Sequence, residues 1–163
     1  MASNPPPDLV LTPLTAKPRT VGQLLTTFHL ALVVLDPFTN ESAWILETAA
    51  RILQVFEQAD VRVAWLMAGA TADESRQFLG PWAEEILTFY DTDRTAVKAL
   101  GLERLPAIVH LGMDGTVVGV AEGWHPMEWR KVTDHLAKIT SWLPPTFPLP
   151  GDPGPYEGSP ALG

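Results

Sequence analysis

Two patterns of hydrophobic positions alternate along the chain. Leu30–Leu35 and Val61–Ala68 are nearly continuous apolar runs containing several β-branched residues, the pattern of strands covered on both faces. Asn40–Gln58 instead spaces Ile45, Leu46, Ala49, Ile52, Leu53 and Phe56 at i, i+3 and i+4, which predicts a long helix with one buried stripe. Shorter signals fill in the rest. Asp8–Leu14 predicts a short edge strand, because Pro13 has no N–H to donate to an inner ladder. Thr20–His29 predicts a helix capped by Thr20, with Val21, Leu24, Leu25 and Phe28 on one face. Thr71 predicts a second cap, with Asp73 and Glu74 in a first turn where the helix dipole favours negative charge. Glu85–Tyr90 reads as a strand, and Thr92–Leu100 as a helix stopped by Gly101.

Near the C-terminus, Ala107–Leu111 and Thr116–Ala121 flank the turn Gly112-Met113-Asp114-Gly115, which predicts a hairpin. Pro126 then suits the first turn of a last helix running to about Trp142. Strands alternating with helices in this order predict an α/β fold. It has a central mixed sheet, helices on both faces, and a C-terminal β-hairpin plus helix.

The two ends differ from this pattern. Residues 1–20 hold five prolines and residues 143–163 hold seven, and proline removes backbone donors while fixing φ. The chain therefore divides into an N-terminal Pro-rich segment, 1–20, with its possible strand, a domain over 21–142, and a Pro-rich C-terminal tail, 143–163. The tail is expected outside the domain, mobile or laid along a surface, with Phe147, Leu149 and Tyr156 as apolar anchors.

Composition narrows the chemistry. The 163 residues include no cysteine, so disulfides, thiolate nucleophiles and Cys-based zinc sites are excluded. A net charge of −8 argues against a nucleic-acid or anionic-membrane partner. The longest apolar run is far too short to span a bilayer. Met1–Asp8 opens no secretory pattern, so the expected location is the cytoplasm. His29, His110, His125 and His135 are widely spaced in sequence and read as structural or surface residues, with no metal site and no cofactor expected.

The element order, with a proline just before the hairpin, resembles the thioredoxin fold. Within Val61–Val118, the residues Asp91, Asp93, Ala96, Val97, Leu100, Gly101, Leu102, Pro106, Asp114, Gly115 and Val118 are similar to the second half of TlpA-like thioredoxins and AhpC/TSA peroxiredoxins. The resemblance places Asn40, Glu41, Ser42 and Ala43 where the Cys-x-x-Cys redox motif would lie, so both sulfur positions are taken by residues that form no disulfide. It also matches Pro106 to the family's cis-proline, which exposes backbone beside the site to an extended substrate peptide; alternatively Pro106 only shapes the strand entry. Asp36 ends the first central strand near the family's buried carboxylate, whose tuning role is void without a cysteine; an approach or capping role is the alternative. A narrower resemblance joins Leu105-Pro106-Ala107 and Gly123-Trp124-His125-Pro126 to the HyaE/HupG/HoxO accessory proteins of [NiFe]-hydrogenase maturation, which lack Cys-x-x-Cys; those shorter proteins do not show the segment near Ala70–Thr88.

In such a fold the loops Phe38–Trp44, Leu105-Pro106 and Glu122–Pro126 meet at one end of the sheet. They are expected to form a protein-binding face carrying Phe38, Trp44, Leu105, Pro106, Trp124 and His125, since aromatics are enriched at interaction hot spots. Trp44 and Trp124 could equally be core residues or pack under the tail. Thr39 and Ser42 lie near the lost nucleophile, but a hydroxyl needs a neighbouring base and no histidine is expected there. The expectation is a redox-inactive, non-enzymatic protein-binding factor, an assembly chaperone for a redox enzyme such as a [NiFe]-hydrogenase and its subunits. A structural or scaffold subunit, and an enzyme using a non-cysteine group, are the alternatives.

Overall fold

A computed structural model describes residues 2–163. Its main sheet has seven strands in the order β2-β1-β5-β4-β3-β7-β8. The centre is β3 (His29–Leu35), which pairs in parallel with β4 (Val61–Ala68) and antiparallel with β7 (Ala107–Leu111). β4 continues in parallel to β5 (Leu87–Asp91), and β8 (Val117–Glu122) returns antiparallel beside β7 to close the expected hairpin.

The continuous apolar runs are explained by the two faces of this sheet. From β3, Leu30, Leu32 and Val34 enter one core with Leu66, Phe89, Val97 and Leu100, while Val33 and Leu35 enter another with Ile45, Trp65, Met67 and Trp129. Alternate side chains point to opposite faces, so β3, covered on both, is apolar at every position from Leu30 to Leu35. The second face carries α2 (Asn40–Val55) and α6 (Pro126–Ile139), whose buried stripes are Ile45, Ala49, Ile52, Leu53 and Trp129, Val132, Leu136. Full burial of each aliphatic residue contributes about 1.5–3 kcal/mol.

Short elements depart from expectation in extent. Thr20 does cap a helix, through a reciprocal box with Gln23, but α1 (Val21–Leu24) is a single turn. Thr71 and Glu74 cap α3 (Ala72–Leu79) in the same way, and α4 (Trp82–Glu85) follows it. α5 (Thr95–Ala99) begins where the Asp91 carboxylate accepts the Ala96 and Val97 amides, and Asp93 accepts that of Thr95. The paired aspartates are therefore helix caps. β1 (Val10–Pro13) is not the edge of the sheet. It pairs with β5 on one side and on the other with β2 (Arg19–Thr20), which is too short to announce itself in sequence. Pro13, without an N–H, takes the last position of β1.

Residues 143–163 do not leave the body of the protein. Phe147 is buried in the second core, and β9 (Ser159–Pro160) pairs with β6 (Arg104–Leu105) in a separate two-stranded sheet. No helix among the described residues is long and apolar enough to cross a membrane.

At the end of β3 where the strand begins, three histidines separated in sequence come together. His29 Nδ1 and His110 Nε2 are 2.8 Å apart, and the His110 and His135 rings are 6.2 Å apart. One nitrogen of the close pair must carry the hydrogen. His110 is fully buried and its Nδ1 has no hydrogen-bond partner among the described residues. Burial, aided by repulsion from His29 and then His135, lowers its pKa from 6.5 to about 4. No group of three or more His, Asp or Glu among the described residues is arranged to hold a metal ion. Between pH 6.5 and about 4 the unfolded chain takes up a proton that folded His110 refuses. Stability should therefore be complete above that window and fall with pH through it, by on the order of 3 kcal/mol at the lower end. The His110→Leu variant is expected to flatten this part of the melting-temperature profile, and an unchanged profile would refute the assignment.

Candidate functional site

The opposite end of the sheet, where β3 ends at Asp36, gathers the expected loops. Asp36 starts the turn into α2: its carbonyl accepts the Thr39 amide and hydroxyl, and its Oδ1 accepts the Phe38 amide at 2.9 Å. Thr39 caps α2 by accepting the Ser42 amide. Ser42 is itself fully buried, and its Oγ accepts the Asp36 amide at 2.8 Å. The Ser42 hydroxyl, within the segment expected to stand in place of the redox motif, is thus tied into the turn that aims the helix, with no histidine among its partners. Asn40 and Ala43 are exposed and Glu41 is half-buried.

The other two loops join directly. The Leu105-Pro106 peptide is cis, the Pro106 carbonyl accepts the Gly123 amide at 2.8 Å, and β7 and β8 hold Ala107 opposite Glu122. Trp124 and Trp129 stack edge to face with centroids 5.1 Å apart, and Trp129 Nε1 donates to the Gly123 carbonyl. His125 sits at the N-cap of α6 but makes no side-chain capping bond; its Nε2 lies 3.6 Å from a Glu157 carboxylate oxygen.

Across this end lies the C-terminal tail. Asp152 docks on α2, accepting two bonds from Arg51 at 2.6 and 3.0 Å and one from the Thr48 hydroxyl at 2.8 Å. The Pro153 carbonyl accepts Trp124 Nε1. Tyr156 exchanges both main-chain bonds with Trp124, at 2.8 and 3.0 Å, sets its ring edge-on to Trp44 at 5.5 Å, and donates its hydroxyl to the Glu41 carbonyl. Burial, then the nearby Glu41 carboxylate, pushes the Tyr156 hydroxyl above its ordinary range, so it remains a donor. Ser159 pairs with Leu105, and the Ala161 amide donates to the Glu103 carbonyl.

Arg94 completes the arrangement. Its guanidinium donates to Asp36 Oδ2 at 2.9 Å and to the Ala161 carbonyl at 2.6 Å. Asp36 therefore has a role after all: it holds the cation that holds the tail.

This geometry corrects the expected binding face. Leu105 and Trp124 are both 0% exposed, with Ser159 paired to Leu105 and Tyr156 to Trp124, and Pro106 is buried beside them. Phe38 and Trp44 are exposed at 62% and 56%. Phe38 borders a shallow groove of about 270 Å³ shared with Pro37, Glu74, Gln77 and Phe78. Of the three tail anchors, Phe147 is buried and Tyr156 half-buried, while Leu149 is partly exposed. Arg94, Arg51 and Asp152 went unrecognised in the sequence, where nothing distinguishes a clamp from a surface charge. What the site can do chemically follows from its donors and acceptors: it holds an extended polypeptide by main-chain bonds, beside a position with no thiol.

The sequence matches no protein-family model, and no curated protein matches it. Solved structures do share its fold. A secreted Mycobacterium tuberculosis disulfide oxidoreductase homologous to E. coli DsbE superposes with a TM-score of 0.62 at 16% identity, covering 80% of this chain and 96% of that one. The thioredoxin domain of a Bacteroides vulgatus thiol-disulfide oxidoreductase gives 0.64 at 8% identity, covering 86% and 99%. A hypothetical protein from Sinorhizobium meliloti 1021 gives 0.70 at 12% identity, covering 99% and 94%, a match that takes in the tail. The chain has a thioredoxin-like fold. It differs from the disulfide oxidoreductases of that fold in holding no cysteine.

The tail's first anchor is open to titration. The Arg51 hydrogen bonds hold the Asp152 carboxyl down at about 2, from an ordinary 3.8. The contribution of this bridge is therefore present above pH 4 and lost as pH falls toward 2. Asp152→Ala is expected to cost about 1–2 kcal/mol in urea unfolding and to speed amide exchange at Tyr156 and Ala161. Exchange at those amides identical to the wild type would show that Asp152 does not hold the tail.

Proposed function

We propose that this chain is a redox-inactive, thioredoxin-like protein-binding factor that acts without turnover, as an assembly chaperone for a redox enzyme. The observation that carries this reading is the extended segment paired to the main chain of Leu105 and Trp124, beside a redox position occupied by Asn40, Glu41, Ser42 and Ala43. Added-strand pairing recognises polypeptide by its backbone and leaves side-chain pockets to choose among partners. Exposed Trp44 on α2 meets Tyr156 of that segment, and exposed Phe38 lies on the turn into the same helix; both offer the aromatic area typical of interaction hot spots. The likeness of Leu105-Pro106-Ala107 and Gly123–Pro126 to hydrogenase accessory proteins makes an immature [NiFe]-hydrogenase subunit the first client to test.

Affinity purification of the full-length chain from its native host, with mass spectrometry of what accompanies it, tests the proposal. Immature redox-enzyme subunits should be recovered, and the chain should be missing from the mature enzyme. Fixed stoichiometry in a mature complex would make it a structural subunit instead. A Phe38→Ser, Trp44→Ser double variant should lose capture by roughly tenfold or more with its circular dichroism unchanged. Undiminished capture would remove these two residues from the binding face.

A further inference from the structure

The C-terminal segment occupies the end of the sheet beside the cis Leu105-Pro106 bond. Residues 151–163 pair with main-chain groups of Glu103, Leu105 and Trp124 at the end of the sheet. They do so as an added strand, not as an extension of any core element. Gly158 fixes the register. Its φ is +88°, and a Cβ there would fall inside van der Waals contact of the Leu105 carbonyl oxygen and 3.3 Å from the Gly123 Cα. Gly123 faces it with φ +71°, and a Cβ on that residue would come within 2.5 Å of the Glu157 carbonyl oxygen. Two glycines pressed together let the two backbones approach this closely. Two residues before Gly158, the Tyr156 ring meets Trp44 and its hydroxyl reaches the Glu41 carbonyl. One residue after it, Ser159 is buried against Leu105.

Resting on the reading that this groove is the binding site, we propose that the tail is its resident, replaceable occupant. A partner takes the tail's place with an extended segment of the same chemistry: a hydroxyl-bearing aromatic, any residue, a glycine, then a small residue. The tail is its own template for the ligand, and being tethered it competes at high effective concentration. The groove then accepts a partner only in the fraction of molecules whose tail has left, so apparent affinity falls by that fraction. Selectivity comes from the glycine, since any side chain at that position strikes the Leu105 carbonyl.

The test uses full-length protein and a fluorescent peptide of residues 151–163, GDPGPYEGSPALG. Gly158→Val lies in the tail, so it dislodges the tail without touching the groove. By fluorescence anisotropy the variant should bind the wild-type peptide at least tenfold more tightly than the wild-type chain does, and neither protein should bind a peptide with the same Gly→Val change. A folded variant that fails to bind, or equal binding by both proteins, would overturn the proposal. Should the variant not fold, amide exchange in the wild type decides. Exchange at Tyr156 and Ala161 at least a hundredfold faster than in β7 supports a replaceable tail, whereas exchange only through global unfolding makes the tail a fixed part of the core and ends the proposal. A wild-type dimer that the peptide dissociates would assign the groove to a second copy, which also overturns it. Partner capture by a chain whose tail never exchanges would sink this inference alone; peptide exchange without any captured redox-enzyme subunit would sink the chaperone reading alone.

Discussion

Buried main-chain donors and acceptors must be paired, and that constraint organises one whole end of this protein. β7 and β8 pair with each other, but the backbone just before β7 and just after β8, at Leu105 and Trp124, runs beyond the sheet with its polar groups unmet. The tail meets them. Within 151–163 the prolines stand at 153, 155 and 160, where no donor is asked of them, while Tyr156 and Ala161 supply N–H groups that pair. A Pro-rich segment can serve as an added strand because only some of its positions face the ladder. Trp124 is buried as a consequence: its indole N–H finds the Pro153 carbonyl, and its ring packs between Trp129 and Phe147.

Charge then locks what the backbone bonds align. Asp36 and Asp152 are both largely buried, and each meets an arginine, one at either end of the tail's path. A buried carboxylate without a partner would be costly, so each acid needs its arginine, and each arginine reaches the tail. Arg94 does this from a left-handed backbone conformation, φ 61°, at the start of α5. The same loop carries Asp91 and Asp93, whose carboxylates cap that helix. One short segment therefore positions the helix with its acids and clamps the C-terminus with its base.

Much of this fold was legible in sequence because it rests on continuous apolar patterning. β4 and β7 span the expected residues, and the capping threonines at 20 and 71 cap the helices they announced. What was hidden depends on partners distant in the chain. β2 is two residues long and exists only as a mate for β1. The histidine cluster joins residues 29, 110 and 135, a proximity no spacing rule detects. The burial of Leu105 was missed, and that of Trp124 left as an even alternative, for the same reason: their loops do lie at the end of the sheet, but a segment reaching more than thirty residues downstream of Trp124 pairs with them. Composition alone marked that segment as unable to build a core, which is true of it in isolation. It docks by single anchors and backbone bonds, neither of which has a period.

Under the proposed binding role, the missing cysteine changes what holds a bound segment. A covalent bond to sulfur can retain a substrate whose other contacts are few. Without it, residence rests on non-covalent terms, and a main-chain hydrogen bond exchanged with water is worth only about 0.5–1.5 kcal/mol net. The handful of pairings at Leu105 and Trp124 therefore supports weak, exchangeable occupancy when the segment is not tethered. Tighter binding needs apolar area near the strand: Trp44, exposed on α2 beside Tyr156, with Phe38 exposed on the turn that leads into the helix. Those two residues flank the position where the fold's thiol chemistry would sit, and Trp44 already touches the resident Tyr156. In the proposed binding role, affinity is expected to come from aromatic contact around Asn40–Ala43, with the backbone pairing setting direction and register.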